Sequence, residues 1–203
     1  MKYLIMHGSF GSPDENWFRW LEKELKKKKY QVILEQFPVD NWNKLTSLGI
    51  YNRDKYKIIQ TVASWEKFFL DNIYPKLKNQ EFVFIGHSLA PLFFLHLLEK
   101  YDLKVNKAIF VSPFFELEDK LDIWQFYPVN KDFYKTNFDF QLIKNKIKQS
   151  FVVYGDNDPY VPISQPKEFA KKLKAKELVI INGGHCGSVF TEFPEILAIS
   201  LER

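Results

Sequence analysis

Cysteine is nearly absent from this chain, and so are long apolar runs. Cys186 is the only cysteine, so the chain cannot form an internal disulfide, a composition that suits a reducing compartment. No window approaches the roughly 18–20 apolar residues of a membrane span. The apolar run of the first eight residues is too short for a signal peptide. We therefore expect a cytoplasmic protein with no membrane partner.

The charge is also modest. The formal net charge is +4 and the pI is about 8.9. The densest basic run, Lys26 to Lys29, falls at the expected end of a helix, where cations complement the helix dipole. The other lysines are scattered among acids, so we expect no nucleic-acid partner. No Cys/His cluster has metal-ligand spacing, and we expect no metal and no organic cofactor.

What is present is a globular composition with an alternating pattern. The chain has 203 residues, 46% of them hydrophobic, which predicts a single domain over 1–203. Six short apolar runs predict strands at Tyr3–Met6, Gln31–Leu34, Glu81–Ile85, Lys107–Val111, Ser150–Tyr154 and Leu178–Ile181. Amphipathic or apolar stretches between them predict helices at Asp14–Lys28, Gln60–Lys78, Leu89–Tyr101, Pro166–Leu173 and Phe193–Leu201.

This alternation predicts an α/β fold with three layers, a mostly parallel sheet with helices on both faces. We expect the second strand at the edge beside the first, with the later strands following in order. Residues 37–57 and 113–137 break the rhythm, and the second stretch is rich in aromatics. It is either a lid or cap over a site, or a helical excursion whose aromatics complete the core.

The sharpest local signal is the segment Gly86-His87-Ser88-Leu89-Ala90, which joins an apolar strand to an apolar helix. A strand, a Gly-x-Ser-x-Ala turn and a helix are typical of a nucleophile elbow, in which a strained turn lifts the serine hydroxyl above the strand ends. Small residues at 86 and 90 let the strand and helix pass closely. Ser88 is therefore the candidate nucleophile.

A serine needs a base, and four histidines are available. His185 lies in a glycine-rich loop directly after the last strand, at the sheet edge where catalytic groups of open α/β sheets gather. We prefer it to His7, His87 and His96. Asp156 and Asp158, after the preceding strand, are both candidates to orient the imidazole. The chain order serine, aspartate, histidine fits this fold for either of them.

Backbone groups near Ser88 are candidates for an oxyanion hole. The Leu89 N–H lies at a helix start, where the dipole favours negative charge. The loop His7 to Gly11, after the first strand, places either the Ser9 or the Phe10 N–H beside it.

Taken together, these motifs resemble the small α/β-hydrolase-like serine hydrolases that include the human retinoblastoma-binding serine hydrolase and its bacterial relatives. The resemblance covers nearly the whole chain. It is carried by the first glycine loop with Trp17-x-x-Trp20, Gly86-His87-Ser88, Val111-Ser112, Gly155-x-x-Asp158-Pro159-x-x-Pro162 and Gly184-His185. It implies a Ser88–Asp158–His185 triad and so favours Asp158 over Asp156. Relatives often carry glycine near position 90, where this chain has Ala90.

The expected reaction is hydrolysis of a small ester or thioester through an acyl-enzyme. We expect a small-molecule acyl substrate, bound by Phe10, Phe114 and Trp124, and a monomer or homodimer. An amidase or aminopeptidase with the same triad is an alternative, and so is a non-catalytic protein-binding module on the same scaffold. Cys186 is interpreted as a packing residue.

Overall fold

A six-stranded parallel sheet forms the centre of the molecule. The computed structural model describes residues 1–120 and 122–202. The strands are β1 (Lys2–Met6), β2 (Gln31–Leu34), β3 (Glu81–His87), β4 (Lys104–Val111), β5 (Ile147–Gly155) and β6 (Lys176–Ile180). Their order is β2-β1-β3-β4-β5-β6 and every neighbouring pair is parallel. The predicted fold class and strand order are confirmed.

Nine α-helices and two 3₁₀ turns connect the strands in the described residues. They are α1 (Phe18–Lys27), α2 (Trp42–Leu48), a 3₁₀ turn (Ile50–Lys55), α3 (Val62–Asn72), α4 (Tyr74–Leu77), α5 (Leu89–Lys100), α6 (Phe126–Asn130), a 3₁₀ turn (Lys131–Phe133), α7 (Phe140–Lys146), α8 (Ser164–Leu173) and α9 (Pro194–Leu201). No helix in this part of the chain has the length and apolarity needed to cross a bilayer.

The helix predicted over Gln60–Lys78 is in fact two helices. It ends at Asn72, and a second short helix starts at Tyr74, with Pro75 in its first turn. A proline lacks the N–H that would continue the ladder, and its ring clashes with the carbonyl four residues earlier. Pro75 therefore accounts for the break at Ile73.

The two faces of the sheet carry separate cores because side chains alternate along each strand. On one face, Phe84 and Phe110 pack with residues of α3, α5 and α8. On the other, Ile85 and Val111 pack with α1 and α9. Helix α5 is hydrophobic nearly all round and is buried along almost its whole length, as a helix that fills a core must be. Helices packed on both faces of the sheet therefore hold the carboxyl ends of its strands in place.

Candidate active site

Ser88 lies in a strained turn between β3 and α5. Its backbone has φ 62° and ψ −109°, a conformation that costs a non-glycine residue about 1–3 kcal/mol. A Cβ on Gly86 would lie 2.4 Å from the Phe84 ring and 3.3 Å from the Ala90 Cβ. Glycine is thus required at 86, whereas the single methyl of Ala90 fits. The turn has the geometry expected of a nucleophile elbow.

The loops after β5 and β6 bind each other through three consecutive side chains. A Cβ on Gly155 would lie 2.2 Å from the Gly184 oxygen, so the two loops are in direct contact. The three bonds run from the Asn182 N–H to Asp156 Oδ1 (2.8 Å), from the Gly184 N–H to Asn157 Oδ1 (2.8 Å) and from His185 Nδ1 to Asp158 Oδ2 (2.6 Å). Asp156 therefore shapes the loop, and Asp158 is the aspartate that reaches the imidazole.

Ser88, His185 and Asp158 form one hydrogen-bonded line. The Ser88 hydroxyl donates to His185 Nε2 over 2.9 Å, and His185 Nδ1–H donates to Asp158. The other Asp158 oxygen accepts the N–H groups of Tyr160 and Val161. Only 5% of the Asp158 side chain and 17% of the His185 side chain is exposed. This order of bonds selects the tautomer in which Nε2 of His185 is free to accept a proton.

The backbone of the His185 loop is held by three further donors. The His185 carbonyl accepts hydrogen bonds from His87 Nε2 (2.8 Å) and Ser112 Oγ (3.0 Å), and the Cys186 carbonyl accepts one from Trp17 Nε1 (2.9 Å). Burial, reinforced by the neighbouring His185, lowers the pKa of His87 to about 3, so His87 is neutral at physiological pH. His87 therefore acts on the loop backbone rather than on Ser88.

The loop after β1 lies directly against Ser88. A Cβ on Gly8 would stand 2.6 Å from the Ser88 Cβ, so this position requires glycine. His7, fully buried, donates from Nδ1 to the Gly8 carbonyl and accepts the Phe37 N–H at Nε2. Burial lowers the pKa of His7, which keeps it neutral and fixes both bonds. The Ser9 loop therefore lies beside the Ser88 turn.

A cavity of about 120 Å³ opens beside Ser88. Its wall includes Ser9, Ser88, His185 and, from the aromatic-rich segment, Phe114, Leu117, Phe126 and Asn130. Phe114 therefore borders the cavity. Phe10 and Trp124 are not among the lining residues: Phe10 packs on Trp42 and Phe126, and Trp124 is buried in a small cluster with Leu45 and Val129. Neither ring borders the cavity.

Comparison with known proteins assigns the chain to a family. A family model described as serine hydrolase matches residues 61–200, more than half of the chain. This chain belongs to the serine hydrolase family. It is 25% identical over 189 residues to the predicted hydrolase YdeN of Bacillus subtilis (strain 168), covering 89% of this chain and 83% of YdeN.

Solved structures show the same fold for this serine hydrolase. The YdeN structure superimposes with a TM-score of 0.75 at 23% identity, covering 98% of this chain and 95% of YdeN. Est1E from Butyrivibrio proteoclasticus, solved with ferulic acid bound, gives a TM-score of 0.66 at 16% identity and covers 98% of this chain and 86% of Est1E. The α/β-hydrolase fold and the hydrolase class are therefore established for the chain.

Cys186, next to His185, does not face the cavity as a nucleophile. It is fully buried, and burial raises the pKa of its thiol to about 12, which disfavours the thiolate. Its neighbours include Trp17 and Phe193 in the core beneath the sheet edge. The interpretation of Cys186 as a packing residue agrees with this position.

The sequence missed two polar residues at the site, Gln60 and Asn130. Both are buried, and both contact the Ser9 loop through their side chains. Neither lies in a motif. For Asn130, the only signal was the break in strand–helix rhythm at residues 113–137, which marked the segment without marking the residue. Gln60 was placed at the start of the helix predicted over Gln60–Lys78, and nothing there indicated a role at the site. Within the part of the chain that the structure describes, no group of three or more His, Cys, Asp or Glu side chains could hold a metal.

Proposed function

We propose that this serine hydrolase cleaves a small ester or thioester, with Ser88 as nucleophile, His185 as general base and Asp158 as the residue that orients His185. The observation that carries the proposal is the unbroken line of hydrogen bonds from Asp158 Oδ2 through His185 to Ser88 Oγ. A serine hydroxyl is a weak nucleophile unless a positioned base takes its proton, and this line provides that base.

The proposed reaction has two steps. Ser88 Oγ attacks the carbonyl carbon while its proton passes to His185 Nε2, and the bond to the leaving oxygen or sulfur breaks as His185 returns that proton to it. His185 then takes a proton from water, which attacks the acyl-enzyme, and the proton returns to Ser88 as the acid leaves. The imidazolium formed in each step is stabilised by the Asp158 carboxylate. The Leu89 N–H, at the start of α5, is a donor to the oxyanion in this proposal.

The size of the cavity supports a small acyl group. A cavity of about 150 Å³ holds one benzene ring, and the cavity beside Ser88 is about 120 Å³. The apolar side chains of Phe114, Leu117 and Phe126 border it. In this proposal the chain works as a single domain, and the described residues of the aromatic-rich segment, 113–120 and 122–137, form a cap that closes one side of the acyl site.

Fluorophosphonate labelling tests the nucleophile. We expect native protein to label at Ser88 and expect no labelling of Ser88→Ala or His185→Ala. Esters of one alcohol with two-, four- and eight-carbon acyl groups test the cavity, and we expect the two shorter ones to be preferred. Folded native protein that fails to label would contradict the proposal. Cleavage of aminoacyl amides without cleavage of esters would contradict its choice of substrate.

A further inference from the structure

Two buried side chains from distant parts of the sequence accept hydrogen bonds from the loop that follows β1. The Phe10 N–H donates to Gln60 Oε1 over 3.3 Å, and the Ser9 hydroxyl donates to Asn130 Oδ1 over 2.5 Å. Gln60 Nε2 also donates to Asn130 Oδ1, over 3.4 Å, so the two amides are joined. Gln60 is fully buried and Asn130 is 1% exposed. Buried amides keep such bonds because an unpaired one costs about 1–3 kcal/mol.

Gln60 is itself fixed by a buried carboxylate. Asp40 is 2% exposed and accepts the backbone N–H groups of Ile59 and Gln60 at 2.8–3.1 Å. Asn130 is the last residue of α6, inside the proposed cap. The stretch that precedes α3 and the proposed cap therefore meet at the Ser9–Phe10 loop through these two amides.

We propose that Gln60 and Asn130 are positioning residues for the oxyanion hole, and that the Ser9 N–H is its second donor beside that of Leu89. This inference rests on the proposed serine-esterase function. It also separates Ser9 from Phe10, which the sequence left as equal candidates for the second donor.

The bonding of the two neighbouring N–H groups supports this choice. The Phe10 N–H is occupied by Gln60, whereas among the described residues the Ser9 N–H has no hydrogen-bond partner. Ser9 lines the cavity beside Ser88 and Phe10 does not. Phe10 has φ 56°, a left-handed backbone that a non-glycine residue holds only when its surroundings fix it. The hydrogen bond that the Phe10 N–H donates to Gln60 Oε1 helps to hold this conformation.

An N–H group stabilises the transition state only when it lies where the negative charge of the oxyanion develops. Its position therefore determines its effect on the rate. Removing the hydrogen bond to Gln60 or to Asn130 leaves the Ser9 N–H in the chain but allows the loop to move away from Ser88. The transition state then loses stabilisation, while the binding of the ground-state ester changes little.

The test uses three variants of the full-length protein and a matched control. Gln60→Met and Asn130→Leu replace each amide by an apolar side chain of similar size, and Ser9→Ala removes only the hydroxyl. We expect kcat to fall by about 10- to 100-fold in the first two and about 10-fold in Ser9→Ala, with KM changing less than about threefold. Ser9→Thr keeps a hydroxyl and should restore most of the activity. Gln141→Met, at an exposed amide of α7, should match native protein.

Two further readouts separate positioning from a merely structural role. Affinity for a trifluoromethyl ketone, which forms an oxyanion on Ser88, should fall by the same factor as kcat/KM. The double variant Ser9→Ala/Asn130→Leu should be no slower than Asn130→Leu alone, because either change removes the same bond. Thermal unfolding of each variant establishes that it is folded. If Gln60→Met or Asn130→Leu does not fold, the kinetics of Ser9→Ala, the mildest change, test the positioning role.

The outcomes also separate this inference from the proposed function. Native protein that labels at Ser88 and hydrolyses esters, with an unchanged kcat in folded Gln60→Met, Asn130→Leu or Ser9→Ala, would overturn the inference and leave the function standing. Equal losses in kcat and in ground-state binding would also overturn it. Native protein that neither labels nor hydrolyses would remove the function on which the inference rests.

Discussion

The two sides of the Ser88 site are built in different ways. On the His185 side, two short loops bind each other residue by residue, and further donors hold the His185 and Cys186 carbonyls. On the Ser9 side, His7 and Gln36 bind the carbonyls of Gly8 and Gly11 at the ends of the loop. The Ser9 hydroxyl and the Phe10 N–H, at the tip of this loop, bind Asn130 and Gln60, which come from distant segments. The His185 loop is thus bound along its length by its neighbour, whereas the tip of the Ser9 loop is bound by two distant side chains.

The two sides therefore differ in what they contribute to the proposed reaction. A base that must meet Ser88 Oγ at 2.9 Å needs a rigid support. The Ser9 side also forms the cavity wall, with Phe126 and Asn130 contributed by the proposed cap. A change in the cap would therefore alter both the fit of the acyl group and the placement of the Ser9 N–H.

Asp158→Asn compared with Asp156→Asn should give the largest difference. An asparagine at 158 disturbs the tautomer and the charge that His185 needs, and we expect kcat to fall by about 10³- to 10⁴-fold. Asp156 accepts only the Asn182 N–H, which an asparagine oxygen also accepts, so Asp156→Asn should lose less than about tenfold. Steady-state kinetics on the same ester compares them. Equal losses in the two variants would contradict the role given to Asp158.

The free energy of unfolding should depend on pH through His87, which lies on the His185 side of the site. The folded-state pKa of His87 is about 3, below its ordinary value of 6.5, because burial disfavours the cation. The unfolded chain therefore binds a proton that the folded chain does not. The stabilisation is complete above pH 6.5 and declines as the pH falls towards about 3, by at most about 1.4 kcal/mol per pH unit.

His87→Gln should flatten this dependence, because glutamine cannot be protonated but can still donate to the His185 carbonyl. Urea unfolding of both proteins between pH 7 and pH 4 measures the difference. Carboxylates titrate in both proteins and cancel in the comparison, and the slope left in His87→Gln includes the contribution of His7, whose pKa is also lowered. Parallel curves for the two proteins would show that His87 is not held neutral by folding.

Phe126→Ala should change the other side. Phe126 lines the cavity beside Ser88 and packs on Tyr160, with ring centroids 5.4 Å apart. Removing the ring lengthens the cavity, so we expect the ratio of kcat/KM for the six-carbon to the two-carbon acyl ester to rise by about tenfold. The matched control is Phe140→Ala, on α7 and outside the cavity lining. An unchanged ratio would mean that Phe126 does not limit the acyl group.

The sequence predicted one side of the site better than the other for a physical reason. Ser88, Asp158 and His185 follow parallel strands, whose carboxyl ends meet at one edge, so their meeting could be inferred from strand order. Gln60 lies just before α3 and Asn130 ends α6, and the paths of both segments depend on tertiary packing. The same limit explains why Phe10 and Trp124 do not line the cavity. The sequence showed that these side chains are apolar but not which surface they line.

The sheet was predictable almost completely, whereas helices α2 and α7 were not predicted and the other errors lay at helix boundaries. All six strands and their order follow from apolar runs separated by helices. The helix predicted to begin at Asp14 begins at Phe18, because the residues before it form turns and Asn16 has φ 55°. Apolar periodicity marks the buried face of a helix, but turn geometry sets where the helix starts. Choosing between Asp156 and Asp158 required the family resemblance, since turn-forming aspartates look alike in sequence.

Ser112→Ala should give the smallest effect and is the direct counterpart of Ser9→Ala. Each change removes one hydroxyl that holds a loop of the site. The His185 carbonyl keeps its bond from His87 when Ser112 Oγ is removed, and Trp17 still holds the adjacent Cys186 carbonyl. We therefore expect kcat to fall only about twofold to fivefold, less than for Ser9→Ala, measured on the same ester with thermal unfolding as the control. A loss in Ser112→Ala as large as that in Ser9→Ala would mean that the His185 loop, despite its additional donors, is held no more securely than the Ser9 loop.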